Sequence, residues 1–219
     1  RQFRHLFAAQ IVALIGTGLA TVALGLLAFG LSGGDAALVL GGVFAVKMVC
    51  YVTIAPVAAA IAERLPRKAM LVSLDIVRAV VALCFPFVTE VWHVFALVIL
   101  LQSASASFTP VFQATIPDIL PDEGEYTRAL SLSRLAYDLE SMFSPLLAAL
   151  LLTLVGFEAL FLLTSLGFLA SALLVGTVAI PRVVAGAPRS MYERTTRGIR
   201  MYLATPRLRA LLALCFAVS

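Results

Sequence analysis

Charge is scarce in this sequence. Of its 219 residues only 13% are Asp, Glu, Lys or Arg, whereas 62% are hydrophobic. Soluble domains keep about 25% of their residues charged, so most of this chain is not solvated by water. Histidine occurs twice and cysteine three times. Cys50, Cys84 and Cys215 all lie inside apolar stretches, with no close pair and no His at metal-ligand spacing. That excludes a disulfide framework and argues against a bound metal, so the cysteines read as reduced packing residues. There is no Walker A loop, no His-Glu-x-x-His, no Gly-x-Ser-x-Gly and no Rossmann glycine pattern. Neither an enzyme nor a cofactor is expected.

What the chain has in abundance is long apolar runs. About 20 helical residues cross about 30 Å of hydrocarbon, and six runs are of about that length or longer: Leu6 to Leu31, Ala36 to Ala62, Ala69 to Val88, Val91 to Ile116, Ala129 to Val155 and Phe157 to Ile180. A seventh begins near Leu208 and is cut off at Ser219. The first run is too long for a cleavable signal and another follows almost at once, so it reads as a true span. The expected fold is all-α, a polytopic transmembrane helical bundle of six complete spans plus the start of a seventh. Residues 1–180 form the amino-terminal six-helix bundle in this reading, 181–206 a cytoplasmic basic linker or amphipathic helix, and 207–219 the start of the truncated seventh helix. The lack of an initiator Met and the interrupted seventh run suggest the amino-terminal half of a longer chain.

The net charge of +4 points to membrane orientation rather than to nucleic acid. Arg1 and Arg4 precede the first span. Arg64, Arg67 and Lys68 join the second and third, and Arg182, Arg189, Arg194, Arg197, Arg200, Arg207 and Arg209 follow the sixth. The alternate loops, around Asp35, Glu90 and Gly156 to Glu158, hold no Lys or Arg. By the positive-inside rule the amino terminus is cytoplasmic, in a multi-pass protein of a plasma membrane. The loop between spans four and five is acidic, at Asp118, Asp122, Glu123 and Glu125, and acidic residues contribute little to orientation. Between Pro181 and Pro206, Tyr192, Ile199, Tyr202 and Leu203 recur at helical spacing among the arginines. This fits a helix on the lipid surface, with a disordered basic linker as the alternative.

Charges within spans are costly, by about 2.5 to 3.5 kcal/mol at the helix centre, so each needs a partner or a wet cavity. Lys47 falls about 16 Å into the second span, near the midplane where transporters bind substrate; substrate contact and a structural ion pair fit it equally. Span five carries Ser131, Arg134, Asp138, Ser141 and Pro145 along one face. That stripe fits a pathway in which Asp138 works with Lys47, but local neutralisation of Asp138 by Arg134 one turn away fits it better. Glu140 lies on a second stripe with Ser133, Tyr137 and Ser144. Asp75 and Arg78, three residues apart in span three, read as a structural or gating pair. Span four offers Gln102, Ser103, Ser105, Ser107, Thr109, Gln113 and Thr115, suited to close helix packing and to coordinating a polar ligand. Trp92 and His93 belong at the outer interface.

The segment PVAAAIAERLPRK, Pro56 to Lys68, resembles the Gly-x-x-x-Asp-Arg-x-x-Arg-Lys signature of the major facilitator superfamily. Arg64, Arg67 and Lys68 match it, while Glu63 stands for the Asp and Ala59 for the Gly. The resemblance implies a conformational latch at a cytoplasmic gate formed by Glu63, Arg64, Arg67 and Lys68 and joined by Asp75 and Arg78. Ser144, Pro145, Ala148 and Ala149 resemble the Gly-Pro-x-x-Gly-Gly signature of antiporters in that superfamily, with only the proline identical; its Arg-containing signature of span four is absent. Thr109 to Leu132 and Gly198 to Leu212 are similar to the enterobactin-exporter and macrolide-efflux branch.

The resemblance implies a twelve-span bacterial transporter that exports a drug, macrolide or siderophore-like molecule by proton-coupled antiport with alternating access. Lys47, Asp138, Arg134, Gln102 and Gln113 would line its substrate and ion pathway. Its partners would be a small-molecule substrate, protons or another coupling ion, membrane lipid and the missing carboxy-terminal half, with no nucleic acid. Six spans also fit the membrane half of an ATP-driven exporter, or a non-transporting scaffold.

Overall fold

A computed structural model of the chain describes residues 2–62 and 65–180. Within them the chain is helical throughout: α1 (Gln2–Ser32), α2 (Ala36–Ala62), α3 (Arg67–Cys84), α4 (Val91–Ile119), α5 (Glu123–Leu152) and α6 (Phe157–Thr177). Five helical segments are long and apolar enough to cross a membrane, and the first of them, Gln2–Ala62, runs for 61 residues. A straight helix of that length would measure about 90 Å, three times the hydrocarbon thickness. It divides at Gly33–Asp35, one turn of 3-10 helix in which Gly33 takes φ +53°, a left-handed conformation that favours glycine. α1 and α2 then pack against each other.

Two apolar clusters show how the helices alternate. The first gathers Leu24 and Leu27 of α1, Val43 of α2, Ala79 of α3, Phe85, Val98 of α4, Ala148 of α5 and Phe161 and Phe168 of α6. The second gathers Leu6 and Ala9 of α1, Ala62 of α2, Leu71 of α3, Phe112 and Ile116 of α4, Ala129 of α5 and Val175 of α6. α1, α3 and α5 therefore run from the second cluster to the first, and α2, α4 and α6 run back. A polar residue falls between the two clusters on every helix: Gln10, Lys47, Asp75 with Arg78, Gln102 with Ser105, Ser133 with Glu140, and Ser171. The bundle is apolar at both ends and polar at its waist.

α1 packs mainly on α6 and α5, α2 on α4, and α3 on α6 and α4. Small residues allow the closest approaches. A Cβ on Gly16 would lie 3.2 Å from the carbonyl oxygen of Thr164, and one on Gly18 only 2.0 Å from Ser144 Oγ. Thr164 Oγ1 donates to the Gly16 carbonyl at 3.0 Å, tying α6 to α1.

Helix limits follow the apolar runs to within a few residues, and two of the differences have a clear physical cause. α5 begins at Glu123 rather than Ala129, because Asp122 caps it: its side chain accepts from the Glu125 amide at 2.9 Å, and Glu123 and Glu125 occupy the first turn, where acidic side chains favour the helix dipole. Much of the acidic loop expected between spans four and five is therefore helix. The third run ends its α-helix at Cys84 and continues as one 3-10 turn, Phe85–Phe87, around Pro86. Cys50 is buried and Cys84 exposed; Cys215, the linker at 181–206 and the seventh helix at 207–219 lie outside the described residues.

Candidate functional site

The polar waist opens into a cavity of about 650 Å³ walled by α1, α2, α3, α4 and α5. Lys47 and Tyr51 reach it from α2, Arg78 from α3, Thr109 and Gln113 from α4, and Arg134, Tyr137, Asp138 and Glu140 from α5. Gln10 closes it on the α1 side. Most of the residues that the sequence nominates for a pathway thus meet in one space. Gln102, 9% exposed, stands beside Lys47 in a small neighbouring recess instead.

The charges in this space are not equivalent. Arg78 donates to Asp75 one turn away, and both are almost fully buried, at 3% and 0% exposure. Ser171 of α6 donates to the other Asp75 oxygen at 2.7 Å. The Arg78 guanidinium also lies between the rings of Phe108 and Phe168, at 4.2 and 4.4 Å from their centroids. Cation–π contacts of this kind strengthen when desolvated. The pair expected at a cytoplasmic gate therefore sits inside the bundle, between the apolar clusters, with Arg78 in the cavity wall.

Arg134 and Asp138 pair along α5 at 3.6 Å on an exposed face, with side chains 81% and 62% exposed. In that setting an i,i+4 pair is worth only about 0.3 to 0.5 kcal/mol. Glu140 points into the seam with α1, where its Oε1 accepts from Ser144 at 3.2 Å. Among the described residues, neither Lys47 nor Glu140 forms an ion pair. Ser133 donates to Gln10 Oε1 at 3.0 Å, and Thr109 and Tyr137 share a hydrogen bond of 3.3 Å.

At the α3–α4 end, Arg67 donates to both the Asp118 carboxylate and the Ala114 carbonyl. It ties the start of α3 to the last turns of α4. Lys68 follows it on α3, while Glu63 and Arg64 lie outside the described residues. Within the antiporter-like stretch, Ser144 and Ala148 are buried and Pro145 and Ala149 exposed, so only half of it lies in the seam with α1. No cluster of His, Cys, Asp and Glu suited to a metal occurs among the described residues.

Sequence reading left out Gln10 and Tyr51. Gln10 is the bulkiest polar side chain in the uncharged run Leu6 to Leu31, a signal available in the sequence; Tyr51 lies on α2 one turn beyond Lys47.

Long apolar helices around a polar interior define a polytopic membrane protein with a cavity inside its bundle. The family model of the Major Facilitator Superfamily matches residues 6–219, and the chain belongs to that superfamily. An uncharacterized MFS-type transporter of Bacillus subtilis (strain 168), YfiS, is 25% identical over 124 residues, which make up 57% of this chain and 30% of the relative. The matched stretch spans less than a third of that relative's length.

Proposed function

We propose that this chain contributes the amino-terminal bundle of a secondary transporter that exports a small molecule by proton-coupled antiport. The observation that carries the reading is the polar cavity at the waist, with an apolar cluster towards each end of the helices. Midplane sites reached from alternate sides by rocking of two bundles are the means by which secondary transporters work. Lys47 and the polar faces of α4 and α5 would contact the substrate, and the Arg67–Asp118 tie would hold the cytoplasmic gate with Glu63, Arg64 and Lys68. Efflux, and a drug, macrolide or siderophore-like cargo, rest on the sequence resemblance to the enterobactin-exporter and macrolide-efflux branch. The basic segments on one side of the spans support a cytoplasmic amino terminus in a bacterial plasma membrane. Family membership favours this reading over the membrane half of an ATP-driven pump and over an inert scaffold.

The test is flux through the full-length protein in proteoliposomes. We expect substrate movement driven by an imposed pH gradient without ATP, and lowered at least tenfold in Lys47→Gln at equal incorporation. Flux that requires ATP, or wild-type flux in Lys47→Gln, overturns the mechanism or the site respectively.

A further inference from the structure

A second cavity adjoins the first. It is a groove of about 580 Å³ between α1 and α5, lined by apolar side chains such as Ile11, Leu139, Phe143 and Leu146. Its lining runs along α5 from Leu132 to Leu150, about 27 Å at 1.5 Å per residue. Glu140 is the one charged residue in that lining, and it also lines the polar cavity. The two spaces therefore meet at a carboxylate. A groove that serves only as a seat for another helix gains nothing from a charge at its edge, because an unpaired carboxylate in an apolar setting is costly.

The unpaired charges specify the rest. Arg78 and Arg134 are neutralised by Asp75 and Asp138 on their own helices. That leaves Lys47 on α2 and Glu140 on α5 as unpaired groups of opposite sign in the cavity wall, among the described residues. A ligand with one charge would satisfy one of them and leave the other exposed to an apolar body. A ligand carrying both charges on a compact head, joined to an apolar tail, satisfies both and fills the groove as well.

We propose that the substrate is a zwitterionic single-chain amphiphile whose cationic group adjoins its tail, with the tail in the α1–α5 groove, the cationic group at Glu140 and a terminal anionic group at Lys47. This deepens the transporter reading and rests on it for the role of the central cavity.

The test is binding to the full-length protein in nanodiscs of phosphatidylglycerol, with empty nanodiscs as the blank. Radiolabelled dodecyl dimethylammonio-propanesulfonate, in which the ammonium adjoins the tail and the sulfonate ends the head, is the probe, kept below its micellar concentration, and trimethylammonio-propanesulfonate and dodecyl maltoside are the competitors. We expect saturable binding that the tail-less head and the neutral-headed amphiphile each displace at least tenfold less well than unlabelled probe. Lys47→Gln should weaken the probe at least tenfold, as should filling the groove with Leu139→Trp or, if that variant fails to fold, Leu146→Trp. Equal competition by trimethylammonio-propanesulfonate overturns the tail assignment, the groove then being covered by another part of the chain. Equal competition by dodecyl maltoside overturns the charge assignment, and absence of saturable binding overturns both. Lys47-dependent flux of some other compound, with no binding of the probe, sinks this inference and leaves the transporter reading intact. Binding without any gradient-driven flux does the reverse.

Discussion

Gly18 of α1 faces Ser144 of α5 so closely that a Cβ on Gly18 would lie 2.2 Å from the Ser144 Cβ and 2.0 Å from its Oγ. Glu140 Oε1 would follow at 2.6 Å, but it ends a flexible side chain, so the two Ser144 atoms are the main obstacle. We expect Gly18→Ala to destabilise the full-length protein by about 1 to 3 kcal/mol, the usual range for overpacking. Ser144→Gly should restore much of the loss in the double variant, because it removes the two nearest atoms and leaves only the movable Glu140 carboxylate. A thermal-melt double-mutant cycle measures this; strictly additive effects would mean that the two helices do not meet here.

Asp75 and Arg78 should behave as one unit. Removing a single partner strands a buried charge, which costs about 3 to 5 kcal/mol, whereas replacing both with apolar groups of similar volume is often close to neutral. Asp75→Leu should therefore sharply lower the yield of monodisperse protein in size-exclusion chromatography, and Asp75→Leu with Arg78→Met should recover it. A double variant no better than the single one would show that the pair is not coupled.

The two carboxylates of α5 should separate functionally. Asp138 is paired with Arg134 on an exposed face, and Glu140, with no ion pair among the described residues, stands between two cavities. Glu140→Gln should reduce flux at least tenfold, and Asp138→Asn less than threefold. The reverse order in proteoliposome assays would return the pathway to the Arg134–Asp138 stripe.

Arg67 joins α3 to α4 with its side chain 12% exposed and that of Asp118 23% exposed. An ion pair near the surface contributes about 0.2 to 1 kcal/mol. Asp118→Asn should thus leave the melting temperature within about 3 °C of wild type while slowing transport, as expected of a gate contact. A large loss of stability with unchanged flux would assign the contact to folding alone.

Much of this was legible in the sequence, because a helix that crosses lipid has to be apolar almost throughout. The apolar runs therefore outline the helices, and Lys47, Asp75 and Arg78 stand out against them. The choice between the two stripes of α5 was not legible. Both are polar, and which one turns toward α1 depends on Gly18, more than a hundred residues away in the chain. The start of α5 was hidden for a different reason: Asp122, Glu123 and Glu125 read as loop by polarity, yet capping and the helix dipole make them a helix start. Gln10 carries no charge and so stood out less than Lys47, and its place in the cavity wall and its hydrogen bond with Ser133 show it to be part of the polar layer.

The spread of polar residues over all the helices also bears on how the chain is made. A segment leaving the ribosome partitions into lipid on its own merits, before its neighbours arrive. α3 and α5 can each cancel a positive charge within one turn, so they reach the bilayer already partly neutralised. α2 brings Lys47 with no acidic residue along its length, and must carry that penalty on the strength of its apolar remainder, about 2.5 to 3.5 kcal/mol at the helix centre. Of the six helices, α2 is the one whose insertion a second charge near Lys47 would most readily prevent.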